Sequence, residues 1–241
     1  MNQFIASILF ISLAAAACKK DDGENNNGDA KKGYVTGKVR NSAGAPVKGV
    51  KILIDHSIFY NSNMSTSTGD DGSYSIRIRT GSWYAFAEHY PVYNGKKYHI
   101  YLEPDNSDGF GGEGAVRNFT WKLTGEKEAP LSGYFGGLVT FDNYIGESVP
   151  NEADITWTFT PVGPLIDGSA GQTLTLKAAD GWQIKDVPMG RYKVKATYGG
   201  NILQLRKWRT EDAFVNELTI DFEPEIAAQC NNCAMLEYRK T

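Results

Sequence analysis

The chain is 241 residues long, enough for one large domain or two small ones. Aromatics make up 12%, glycines number 26 and the formal net charge is −3, so no basic field argues for nucleic acid as a partner. Only three His and three Cys are present, which leaves a small stock for metal or nucleophile chemistry.

Residues 4–17, FIASILFISLAAAA, form an apolar run too short to span a bilayer. Small residues lead into Cys18, and the composition then changes abruptly to KKDDGENNNGDAKK. This is the layout of a secretory signal, residues 1–17, with a small-residue cleavage site. With a Cys directly after that site, it resembles the bacterial lipoprotein signal. The resemblance implies acylation of Cys18 and attachment to the outer membrane. Each buried CH₂ contributes ~0.8 kcal/mol, and stable anchoring takes more than one acyl chain. Residues 18–32 have almost no apolar side chains, so the segment after the lipidated Cys is expected to be a flexible tether. Asp21, Asp22 and Glu24 resemble the export signal that sends lipoproteins to the cell surface in one Gram-negative phylum. Cell-surface exposure is therefore expected, with a periplasm-facing protein as the alternative.

From Gly33 the pattern is β. In GYVTGKV, Tyr34, Thr36 and Lys38 oppose Val35, Gly37 and Val39. A turn cluster, NSAGAPVKG, follows, then VKILI with Val50, Ile52 and Ile54 on one face. After the turn TGDDG, SYSIRIR alternates Tyr74, Ile76 and Ile78 against Ser75, Arg77 and Arg79. Short strands between turns, without a helix period, predict a sandwich or barrel. The run Gly37-x-Val39-x-Asn41-x-x-Gly44-x-Pro46-Val47-x-Gly49-Val50-x-Ile52, followed by Thr68-x-x-Asp71-Gly72-x-Tyr74-x-Ile76, resembles carboxypeptidase regulatory-like domains. That resemblance implies a transthyretin-like (prealbumin-like, Ig-like Greek-key) β-sandwich. It also implies a non-catalytic accessory module of the carbohydrate-binding-like type.

The second half reads as a diverged copy. GYVTGKV at 33–39 matches GYFGGLV at 133–139, VKILIDH at 50–56 matches ITWTFTP at 155–161, and Gly81 falls on Gly190. Trp83, Ala85 and Ala87 align with Tyr192, Val194 and Ala196 as inward residues of one strand. The expected organisation is two tandem β-sandwiches in an all-β chain, residues 33–124 and 131–241, with a boundary near LTGEKEAPLSG.

No catalytic constellation emerges: there is no HExxH and no Gly-x-Ser-x-Gly elbow, and the expectation is no enzyme activity, no cofactor and no metal. The stretch SDGFGGEG at 107–114 lacks the alternation of a Ca²⁺ loop and reads as a flexible glycine loop. Cys230 and Cys233, in a C-x-x-C, read first as a disulfide in an exported chain, with redox chemistry or a metal site as alternatives.

The sharpest binding candidate is aromatic. If Trp83, Ala85 and Ala87 face inward, then Tyr84, Phe86 and Tyr90 face outward, with Arg77 and Arg79 on the outward face of the preceding strand. Exposed aromatic surface beside Arg suits a glycan or a protein partner, unless the second unit or a loop covers it. The leading expectation is thus a non-enzymatic, cell-surface binding or scaffold protein. The alternatives are a pilin-like fibre subunit or anchor, and an accessory subunit of a polysaccharide-uptake system.

Overall fold

The computed structural model describes residues 30–129 and 131–241. Cys18, the signal segment and nearly all of the tether lie outside the described residues. The described chain is all-β, with one short 3-10 turn at Glu152–Asp154.

The first half carries β1 (Tyr34–Asn41), β2 (Lys51–His56), β3 (Asn63–Ser67), β4 (Ser73–Arg77) and β5 (Trp83–His89). Short strands follow: β6 (Val92–Tyr93), β7 (Lys96–Lys97), β8 (Ile100–Tyr101), β9 (Glu103–Pro104), β10 (Ala115–Val116) and β11 (Phe119–Trp121). One sheet is built on β1, which pairs antiparallel with β4 and parallel with β10 and β11; β9 extends β11. The facing sheet has the order β3-β2-β5-β8. Val35, Val39, Tyr74 and Phe119 of the first sheet are buried, as are Val50, Ile52, Ile54, Trp83, Ala85 and Ala87 on or beside the second. Period-2 alternation of apolar residues thus supplies both inner faces.

Local chemistry fixes the turns. Asn41 Oδ1 accepts the amides of Ala43 and Ala45, folding the connection after β1. Buried Thr68 clamps the start of β2: its hydroxyl donates to the Val47 carbonyl (2.7 Å) and accepts from the Val50 amide (3.0 Å). The SDGFGGEG stretch differs from the expected free loop. Phe110 is buried and exchanges two backbone hydrogen bonds with Trp83, so one large apolar side chain ties the glycines to the core.

The second half contains β12 (Gly137–Asn143), β13 (Thr156–Pro161), β14 (Leu174–Leu176), β15 (Gln183–Val187) and β16 (Tyr192–Tyr198). It ends with β17 (Asn201–Lys207), β18 (Leu218–Ile220), β19 (Glu223–Ile226) and β20 (Cys230–Lys240). Its pairing repeats that of the first half. β12 pairs antiparallel with β15 and parallel with the last strand β20, and β13 lies between β14 and β16. One difference is topological: β17 pairs with both β16 and β20, joining the two walls into one curled sheet. Phe141 and Trp157 stack at 3.7 Å inside it, with Phe159, Tyr192 and Tyr238 also buried.

Gly37 marks the tightest point of the first sheet. The Tyr74 hydroxyl donates to the Arg117 carbonyl at 2.6 Å, directly where a Cβ on Gly37 would stand. Gly37→Ala therefore collides with the Arg117 carbonyl and the Tyr74 ring. It is expected to destabilise the protein by about 1–3 kcal/mol, the range for overpacking a closed core. Urea unfolding reads this as a lower midpoint at unchanged slope; a wild-type midpoint would contradict the packing described.

Candidate binding site between the two halves

Two devices dock the halves. The first is the β6–β7 hairpin, whose turn residues Asn94 and Gly95 both take left-handed φ values (47° and 78°), as a two-residue hairpin turn requires. From its tip Asn94 Nδ2 donates to Asp221 Oδ1 (2.9 Å), and Lys96 pairs with Glu223 (2.6 Å). The Tyr93 hydroxyl donates to the Pro164 carbonyl and accepts the Arg191 amide. Just beyond, Tyr98 is almost wholly buried and its hydroxyl donates to the Phe222 carbonyl (2.7 Å). Burial, then the nearby Asp221 and Glu223 charges, pushes its phenol up to about 12, so it stays a donor. The second device is the connection 122–136. Its ends meet as Glu126 bridges Tyr134, and the Asp186 carboxylate accepts the amides of Gly125 and Gly136. The stretch that reads in sequence as a boundary is thus pinned at 125–126 and 134–136.

Docking leaves a cleft of about 510 Å³ between the halves. The first half contributes Tyr90, Lys97, His99 and Tyr101; the connection contributes Lys127, Tyr134 and Phe135; the second half contributes Glu225, Asn231 and Asn232. Tyr90 and His99 stack nearly parallel at 4.7 Å, and His99 meets Tyr101 at 4.7 Å. Glu88 braces this group: Tyr90 donates to its Oε2 (2.9 Å), and His99 Nε2 lies 3.5 Å from Oε1. Desolvation, aided by that hydrogen bond, raises the Tyr90 phenol to about 12. Lys127 lies over the Tyr101 and Phe135 rings, and burial lowers its ammonium below the ordinary lysine value. Asn232, in a left-handed conformation, donates its amide to the His99 carbonyl and so closes one wall. The cleft offers aromatic faces with charged and amide groups at the rim, an arrangement suited to holding a polar ligand with apolar faces.

Of the five residues grouped as a patch from sequence, only Tyr90 lines this cleft. Tyr84 and Phe86 lie on β5 and line a small crevice with Leu102, Glu128 and Leu131 that adjoins the cleft at Tyr101, so the connection lies along that face. Arg77 belongs to β4, in the other sheet, and Arg79 follows it; the grouping fails because β4 and β5 belong to opposite sheets. Cys230 and Cys233 form a disulfide at the start of β20, beside the cleft residues Asn231 and Asn232. Among the described residues no cluster of three or more His, Cys, Asp or Glu is arranged to hold a metal ion. Sequence reasoning missed Lys127, Tyr134, Glu225 and Asn232, which reach the cleft through non-local docking. The dipeptide Asn94-Gly95 was the available signal, as a strong hairpin turn.

No protein-family profile matches the sequence. No curated protein matches it either. Among solved structures the chain is similar to the TIE protein of Bacillus anthracis, at 14% identity and TM-score 0.35, covering 87% of this chain and 34% of that one. It is similar also to a streptococcal ancillary pilin, at 9% identity and TM-score 0.29, covering 86% of this chain and 62% of that one. A putative adhesin from Bacteroides ovatus shows 9% identity and TM-score 0.28, covering 87% and 88%. The chain thus spans less than two thirds of the first two proteins.

The docking depends on Asp221. Burial works against its charge, but hydrogen bonds from Arg191 (3.0 and 2.8 Å) and Asn94 prevail and hold its carboxyl below the ordinary 3.8. A lowered carboxylate contributes stability that is full above its ordinary value and is lost as the pH falls through the lowered one. Asp221→Ala is expected to cost about 1–3 kcal/mol at neutral pH, the range for hydrogen bonds to a charged group. Its acid unfolding below pH 3.8 should be less steep than that of wild type. Equal stability of the two proteins across that range would contradict the role given to this carboxylate.

Proposed function

We propose that the protein is a non-enzymatic binding module of the bacterial cell surface, held to the outer membrane through Cys18, with a glycan as its ligand. The observation that carries this reading is the cleft in which Tyr90, His99, Tyr101 and Tyr134 meet Lys127, Glu225 and Asn231. Flat rings match the apolar faces of sugars, and amide, carboxylate and ammonium groups match their hydroxyls. A volume near 510 Å³ lies within the ~300–1,000 Å³ typical of small-ligand sites.

The three histidines have structural contacts. His56 holds a connection, His89 packs edge-on against Trp121 at 4.6 Å, and His99 is part of the aromatic stack. Burial lowers the His89 imidazole to about 4, leaving it neutral at physiological pH.

The fibre-subunit reading keeps one supporting feature. β3 is an edge strand of uncharged sequence, NMSTS, which could accept a strand from another chain. Sedimentation of the purified protein separates the two readings, since a fibre subunit forms ladders.

Screening on a glycan array followed by calorimetry tests the binding reading. Tyr101→Ala and Tyr134→Ala should each weaken the best ligand about tenfold, the equivalent of ~1.4 kcal/mol per aromatic contact. Tyr84→Ala, outside the cleft, should leave affinity unchanged. A ligand indifferent to Tyr101 and Tyr134, or an array without any ligand, counts against the proposal.

A further inference from the structure

Three large apolar residues stand in a row at the connection between β2 and β3. Ile58, Phe59 and Tyr60 are 77%, 63% and 95% exposed. Apolar side chains so fully presented together mark a contact rather than ordinary surface. The connection is built to present them. His56 Nδ1 accepts the amides of both Ile58 (3.1 Å) and Phe59 (3.2 Å), and its ring meets those of Phe59 and buried Trp83, each at 4.7 Å. Asn61 takes a left-handed φ of 57°, which turns the chain back toward β3. The apolar tip is therefore held from beneath by a buried aromatic.

Its place in the fold says what it meets. Tyr34, the first residue of β1, lies opposite Arg77, and the Ile78 amide donates to the Gly33 carbonyl. His56 lies opposite Trp83, and the Ser57 amide donates to the Ser82 carbonyl. The point where the N-terminal segment joins β1 and the apolar connection thus share one end of the first sandwich. β11 runs parallel to β1 and ends at Trp121 opposite Asn41, so the second half departs from the other end. Twenty-nine residues precede the described chain, among them the apolar run 4–17 and Cys18. The exposed cations Lys31, Lys32, Arg77 and Arg79 lie at the same end, together with the carboxylates of Asp55, Asp108 and Glu113.

We infer that Ile58, Phe59 and Tyr60 form a membrane contact that enters the headgroup and upper acyl region of the bilayer to which the N-terminal segment attaches. Ile and Phe supply the apolar area, and Tyr suits the boundary between apolar and polar layers. The tip fixes the orientation of the first sandwich on the lipid surface and directs the second half, with the cleft, outward. This inference rests on the proposed attachment of the N-terminal segment to the membrane and stands whether or not the cleft binds a glycan.

The test uses the full chain bound to vesicles of phosphatidylethanolamine and phosphatidylglycerol. Tyr60→Trp places a reporter at the most exposed position, and its emission is read as the difference from the wild-type protein. On vesicles that emission should shift to the blue, and lipids brominated on the acyl chain should quench it about twofold, as for an interfacial aromatic. Adding Ile58→Ser and Phe59→Ser should abolish both effects while the far-UV spectrum is retained. A residue-60 emission that stays at the solvent-exposed wavelength on vesicle-bound protein overturns the inference. So does a blue shift without vesicles accompanied by dimerisation in sedimentation, which would make a second copy of the chain the occupant.

Discussion

The site depends on a two-residue turn. Asn94 and Gly95 take left-handed backbone conformations, and the hairpin they close reaches across to Asp221, Glu223, Pro164 and Arg191. Two β-units joined by a chain segment alone would move as separate bodies. Here Tyr98 adds a buried hydroxyl bond to the Phe222 carbonyl, and Asp186 gathers the amides of Gly125 and Gly136. The buried Tyr98 hydroxyl and the part-buried Gly125 and Gly136 amides find their partners across the seam, so these hydrogen bonds are made only while the halves are docked.

The aromatic residues divide their work along this seam. Tyr93 and Tyr98 spend their hydroxyls on docking, while Tyr90, His99 and Tyr101 turn their rings to the cleft. All lie within twelve residues of sequence, on or beside short strands that leave the sandwich edge. Glu88, at the end of β5, braces the cleft group from the rigid sheet, so a loop-borne site inherits a strand's position.

Much of the β pattern was legible because it is local. Alternation placed Val50, Ile52, Ile54, Trp83, Ala85 and Ala87 inward, as the structure has them. The matched segments of the two halves also carry the same strand pairings, β1 with β4 and β11, β12 with β15 and β20. The joining of the second half's walls by β17 left no such trace, since it depends on which edges meet. The proposed aromatic patch failed for a related reason. Arg77 and Tyr84 are seven residues apart, but the chain crosses from one sheet to the other between them. Outward-facing residues of neighbouring strands share a surface only when those strands share a sheet. The cleft draws on residues from 90 to 232, and no periodicity within one segment encodes that meeting.

The two halves form one body through the β6–β7 hairpin and the Tyr98 that follows it. Amide hydrogen exchange on the full chain tests it directly. If the hairpin is docked, the amides of Lys97, Tyr98 and Ile100 exchange as slowly as those of β13 and β16 and open together with β19. Rapid exchange across 92–100, with β13 and β16 still protected, would show a free hairpin and contradict the account of a cleft shared by both halves.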